Sequence, residues 1–162
     1  MMPHTHKLPN SRFCFACGLE NDRGLKLTFY DNGDGAAVGS YSIPKEFESY
    51  PGVAHGGIVA TILDEALIRA LILKDHNRLF FTAKLTTRIR RHVPIESELK
   101  IKAWILSDRG QTAEAEAKIF NNSGTILAEA HGLMMAVSEK ELQSMDLEEL
   151  GWKVYPDTEV QA

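Results

Sequence analysis

Apolar residues are densest from His55 to Leu73, HGGIVATILDEALIRALIL, where a glycine-rich entry leads into sixteen residues free of Gly and Pro. This pattern predicts a helix with an unobstructed first turn. Apolar residues cover nearly its whole circumference, so it is expected inside the fold rather than on its surface. Before it, Leu25–Tyr30 alternates as a strand, Asp31 to Gly35 makes a turn, and Ala37–Ile43 returns as a second strand. The loop from Pro44 to Ala54 carries Phe47 and Tyr50, which either cover a ligand or cap the core. After the helix and the polar connector Lys74–Arg78, Leu79 to Val93 alternates over a long run. Phe81, Ala83, Leu85, Thr87 and Ile89 are expected on one face, with Thr82, Lys84, Thr86, Arg88 and Arg90 on the other. Glu98–Ser107, Thr112–Phe120 and Thr125–Val137 continue as strands joined by Asp-Arg-Gly and Asn-Asn-Ser-Gly turns. Ser138 with Glu141 forms a capping box for a final helix that Gly151 stops. Helices do not alternate with strands, which excludes a doubly wound fold. The expected class is α+β, one antiparallel sheet wrapped around one long central helix.

The predicted divisions are an N-terminal arm over 1–24 with a CxxC turn, a central domain over 25–137, and a C-terminal helix and tail over 138–162. A chain of 162 residues is long enough to bury about two-thirds of its unfolded surface. A hydrophobic fraction of 44% with 25% charged residues is ordinary for a globular protein. The net charge of −4 argues against a nucleic-acid partner. The central helix is too short and too charged, with Asp64, Glu65 and Arg69 inside it, for a membrane partner. The N-terminus, MMPHTHKLPNSRF, has no apolar core of a signal peptide, so a cytoplasmic location is expected.

Three groups of residues suggest chemistry. Glycines at a helix start leave backbone N–H groups open to an anion or a developing oxyanion, although paired glycines also serve tight packing. Asp64 has Ala60, Thr61, Leu67 and Ile68 at its helical neighbour positions, with no cation among them, whereas Glu65 has Arg69 four residues on. Asp64 therefore points into a cavity or takes a partner from elsewhere in the fold. Cys14 and Cys17 are a redox pair, half of a metal site with His4 and His6 as the nearby extras, or two small hydrophobes. Between Lys84 and Lys102 six Lys/Arg stand against two Glu, concentrated at Arg88, Arg90 and Arg91. That cluster is either a solvated strand face or a clamp for phosphates.

His55-Gly56-Gly57 followed by Asp64 resembles the HGG-x(6)-D/E signature of PaaI-like hotdog-fold acyl-CoA thioesterases. Phe81-Thr82-Ala83-Lys84-Leu85 through Arg90-Arg91-His92-Val93-Pro94-Ile95 is similar to the T-x-x-L…RPVP strand of that family, with His92 in place of the usual Pro. Cys14-Phe15-Ala16-Cys17-Gly18 with Asn21, Gly24 and Leu25 is similar to a CxxCG…NPxGL opening of some members, which favours a structural turn with no metal. The resemblance implies a hotdog fold, hydrolysis of acyl-CoA thioesters and no cofactor. It implies that Gly56 (or Gly57) polarises the thioester carbonyl and that Asp64 is the general base or nucleophile, with Thr82 helping to place the water. His55, Ser49 (near where some relatives carry an active-site Asn) and the arginines Arg88, Arg90 and Arg91 would contact substrate. Gly56 and Asp64 lie about 12 Å apart along one helix, too far to serve one carbonyl. The family resolves this with a site shared between subunits, which implies a homo-oligomer, a dimer or a dimer of dimers. A non-catalytic hotdog module that binds acyl-CoA as a sensor is the alternative. The N-P-[IL]-H pattern of hotdog hydratases is absent.

Overall fold

The central helix runs over Gly56–Leu71 (α1) in a computed structural model that describes residues 6–157. His4 and residues 158–162 of the predicted tail lie outside the described residues. Seven strands form one antiparallel sheet: β1 (His6–Lys7), β2 (Tyr30–Asp31), β3 (Ala36–Ser42), β4 (Phe80–Ile89), β5 (Glu98–Asp108), β6 (Thr112–Phe120) and β7 (Ile126–Ala136). Their spatial order is β1-β2-β3-β5-β6-β7-β4, so β4 leaves the helix, crosses the whole sheet and becomes its far edge. The sheet wraps α1, the arrangement expected from the sequence.

The inner face explains why the helix can lie so close to the sheet. Ala113, Ala115 and Ala117 on β6, with Ala103 on β5 and Ala128 and Ala130 on β7, are all buried and carry no bulk beyond a methyl group. At Gly132 a Cβ would lie 2.7 Å from the side chain of Leu67, so the helix packs directly on that backbone. Val59, Ile62, Leu63, Ala66, Leu67 and Ala70 fill the interface and are at most 1% exposed. Close packing of this kind leaves little tolerance for added volume.

Three elements differ from the alternation read in the sequence. Leu25, Leu27 and Phe29 are buried, yet the segment is not a regular strand. Lys26 takes a left-handed conformation (φ 53°). The backbone N–H groups of Leu25 and Leu27 bond to the carbonyls of Phe15 and Ala16, while the Phe29 carbonyl accepts from Leu8. The period of burial survives, but the partner is an irregular arm rather than a ladder, and only Tyr30–Asp31 pairs as strand.

The second difference is in β4, where the register against β7 jumps between Thr82 and Lys84. The extra residue, Ala83, reverses the facing of the residues after it. Thr82 therefore faces the helix, as do Leu85, which packs on the core, and Ile89, whose Cδ1 lies 3.5 Å from the Cβ position of Gly56. An unbroken alternation would have put Thr82 on the face opposite Leu85 and Ile89. The third difference is in the C-terminal segment. The capping box at Ser138 is present, but Asp146 accepts from the Glu149 N–H and starts a new helix. The predicted single helix is thus two short ones, α2 (Glu139–Ser144) and α3 (Leu147–Leu150), the second ended by Gly151 at φ 60°. No helix among the described residues is long and apolar enough to cross a membrane.

Candidate functional site

The start of α1 is fixed by its own loop. The Ala54 N–H donates to the Val93 carbonyl and the His55 N–H to that of Phe47. His55 is the N-cap in an extended conformation, and its Nδ1 accepts from the Gly57 N–H at 3.0 Å. Its carbonyl accepts from Ile58 and Val59. The Gly57 donor is therefore occupied by the imidazole, and His55 acts as a helix cap. Among the described residues the Gly56 N–H has no acceptor, and the residue itself is exposed. An exposed N–H without a partner at the positive end of a sixteen-residue helix is suited to an anion or an oxyanion.

Two turns along the same helix, Asp64 has the partner that its neighbours do not supply. Thr82 Oγ1, brought inward by the bulge in β4, donates to Asp64 Oδ1 at 2.7 Å. Asp64 is only partly buried and Thr82 is exposed. The second carboxylate oxygen has no partner among the described residues, so it can take a proton from water or attack a carbonyl. The structure thus joins Asp64 to Thr82 and keeps Gly56 away from both within one chain.

The remaining candidates are more scattered. Ser49 donates to the Val53 carbonyl at 3.3 Å and tightens its own turn. Arg90 pairs with Glu129 at 2.6 Å, whereas Arg88 and Arg91 are exposed and enter no ion pair among the described residues. All three lie at the end of β4 where Ile89 meets the helix start.

Glu65 and Arg69 do form the i,i+4 pair expected from their spacing, but it is a buried one, at 7% and 1% exposure. The Arg69 guanidinium lies 4.8 Å from the centre of the Trp152 ring. Beside the pair, Cys14 and Cys17 approach from the N-terminal arm. Sequence reasoning did not bring these residues together. The spacing of a helical pair carries no information about an arm some fifty residues away, and the one available signal was a charged pair on a mostly apolar helix.

The fold, compared with known proteins, has several close counterparts in shape. Residues 51–128 match the family model described as the thioesterase superfamily. A crystal structure of a thioesterase superfamily protein is 24% identical with a TM-score of 0.68, covering 76% of this chain and 63% of that one, so the chain spans less than two-thirds of that relative. The E. coli PaaI protein from the phenylacetic acid degradation operon is 18% identical with a TM-score of 0.62, covering 70% of this chain and 81% of its own. A hypothetical thioesterase protein with coenzyme A from Streptococcus pneumoniae is 21% identical with a TM-score of 0.59, covering 65% and 83%. No curated protein matches the chain. The matched segment holds the HGG entry, Asp64 and Thr82, and the sheet wrapped around one helix is the hotdog fold that this chain shares with these solved structures.

Proposed function

We propose that the chain hydrolyses acyl-CoA thioesters in the cytoplasm, at a site shared between two copies of itself. The observation that carries this reading is the Thr82–Asp64 hydrogen bond on the same open helix face as the unpartnered Gly56 N–H. In the proposed reaction Gly56 of one subunit donates to the thioester oxygen as it becomes an oxyanion. Asp64 of the other subunit takes a proton from the attacking water, or itself attacks the carbonyl carbon to give a mixed anhydride that water then hydrolyses. In either case the carbon–sulphur bond breaks and coenzyme A leaves as its thiolate. Thr82 holds one carboxylate oxygen and so aims the other.

The case for a second copy rests on what a single chain leaves open. Among the described residues β4 pairs only with β7, which leaves its other edge unpaired, an unfavourable state in an isolated protein. Phe81, Ile89 and Met135 at this end of the sheet are 51%, 48% and 53% exposed. The Gly56–Gly57 entry is exposed, and Ala60, Thr61 and Asp64 are only partly covered. Turnover of a short panel of acyl-CoA substrates tests the activity and separates an enzyme from a module that only binds acyl-CoA. Release of free thiol supports the reading, and binding without release refutes it.

The basic end of β4 is assigned to the coenzyme. Replacing Arg88, Arg90 and Arg91 together with Ala is expected to raise KM for acyl-CoA while largely sparing kcat. The effect should be far smaller with acyl-N-acetylcysteamine, which lacks the nucleotide phosphates. Equal losses with both substrates would make the cluster structural, with the Arg90–Glu129 pair the part of it that matters.

A further inference from the structure

The N-terminal arm makes a second constellation that thioester hydrolysis does not use. Cys14-Phe15-Ala16-Cys17-Gly18 is a tight turn closed by the Gly18 N–H on the Cys14 carbonyl at 2.7 Å. A Cβ at Gly18 would lie 2.4 Å from the Cys14 backbone, so only glycine fits there. The turn is tied to the fold through Asn10, whose buried side-chain amide donates to the Cys17 and Leu27 carbonyls, each at 2.8 Å.

Glu65 reaches this turn from α1. One oxygen of its carboxylate and the sulphurs of Cys14 and Cys17 all lie within 4.8 Å of one another. Arg69 Nη2 donates to Glu65 Oε1 and holds the carboxylate, while Arg69 Nη1 is buried without a hydrogen-bond partner among the described residues. These groups line a cavity of about 300 Å³ whose other walls include Ile68, Leu79, Phe81, Val137 and Trp152.

We propose that Cys14, Cys17 and Glu65 bind one divalent cation of the zinc class through two thiolate sulphurs and one carboxylate oxygen, with the fourth position open to the cavity. The donor set selects the metal: two sulphurs and one oxygen suit zinc, whereas calcium and magnesium need oxygen alone. Charge supports the same choice. Two thiolates and a carboxylate carry −3, Arg69 carries +1, and a divalent ion brings the buried cluster to zero. Tetrahedral bonds of about 2.3 Å to sulphur and 2.0–2.2 Å to oxygen set the donors roughly 3.5–3.8 Å apart, so binding draws the set in from its spread of up to 4.8 Å. Arg69 then acts as the outer group that orients the Glu65 ligand.

Without a cation these groups hold protons in part. The Cys17 thiol is pushed up to about 12 by its hydrogen bond with Cys14 and by burial. Burial pushes the Glu65 carboxyl up to about 7, against the pull of Arg69. Cys14 is the exception, held down at about 6 by the hydrogen bond from Cys17. Bound there, a cation would fasten the arm to α1 at the residue next to Asp64.

The test uses the full chain, reduced, stripped with a chelator and titrated with Co²⁺ as a spectroscopic substitute. One Co²⁺ per chain is expected, with thiolate-to-cobalt charge-transfer absorption, visible bands of tetrahedral intensity, and displacement by Zn²⁺. Cys14 is exposed, so Cys14→Ser should keep the fold and still lose the charge-transfer intensity. It should weaken binding at least ~100-fold, beyond the 10–100-fold typical of an outer-shell change. Glu65→Gln should weaken Co²⁺ binding while the charge-transfer bands persist. Cys17→Ser provides a second thiolate variant if Cys14→Ser does not fold. Absence of stoichiometric binding by the reduced wild type, a pale octahedral spectrum, or undiminished binding by the thiolate variants would each overturn the site.

Discussion

Asp64→Asn is expected to lower kcat by at least ~10², as for the loss of a general base or nucleophile, while acyl-CoA still binds. The substitution isolates chemistry from packing. Asn keeps the size of Asp and an Oδ1 that accepts the Thr82 hydrogen bond, 2.7 Å long in the native chain, but it neither accepts a proton nor attacks a carbonyl effectively. Asp64 is only partly buried, so little stability should be lost. Glu65→Gln is the paired control and should cost less than about tenfold in kcat. Its risk lies in stability, because Glu65 faces the buried Arg69, and removing one partner of such a pair typically costs ~3–5 kcal/mol. Both variants therefore need thermal unfolding and sizing alongside the kinetics. Wild-type turnover by a well-folded Asp64→Asn protein, or a dead Glu65→Gln beside an active Asp64→Asn, would remove Asp64 from the mechanism.

Gly56→Pro should lower kcat by ~10²–10³, the usual effect of deleting one oxyanion donor. The backbone tolerates this change unusually well. Gly56 is the first helical residue, where proline is favoured because its missing N–H has no helical acceptor. His55 before it sits at φ −62°, ψ 134°, the extended region that a following proline requires. No hydrogen bond of the folded chain is lost, because the Gly56 N–H makes none among the described residues. A Cβ at this position meets only Ile89 Cδ1, at an ordinary 3.5 Å. Gly56→Ala adds the same methyl while keeping the N–H, and should stay within about tenfold of wild type. Equal losses in the Pro and Ala variants would assign the effect to bulk at the helix start rather than to the donor.

The residues that carry these two predictions were legible in different degrees. The helix could be read because its apolar density has no strand-like period, and Asp64 stood out because no cation lies within a helical turn of it. The distinction between Gly56 and Gly57 was not legible. It depends on the rotamer of His55, which takes up one of two similar N–H groups. Thr82 was legible as a residue type, but its place was not. A bulge at Ala83 leaves no mark on a continuous alternation of apolar and polar residues, yet it turns the Thr82 hydroxyl toward the helix. The same limit applies at Leu25–Phe29, where burial alternates without a ladder because the neighbouring arm is irregular. It applies again at residues 138–150, where Asp146 interrupts an otherwise helical run by capping a second helix. Convergence of Cys14, Cys17 and Glu65 is a property of the tertiary fold, and neither the CxxCG spacing nor the Glu65–Arg69 spacing contains it.

The central claim is that Gly56 and Asp64 of different chains serve one carbonyl, and subunit complementation tests it most directly. In a dimer formed from one Gly56→Pro chain and one Asp64→Asn chain, one site combines the intact Gly56 of the second with the intact Asp64 of the first. The other site carries both defects. Random pairing of equal amounts makes half of the dimers mixed, each with one working site of two, so coexpression should restore roughly a quarter of wild-type turnover from two nearly inactive parents. Activity no higher than the mean of the two parents, in dimers shown to be mixed, would contradict the shared site.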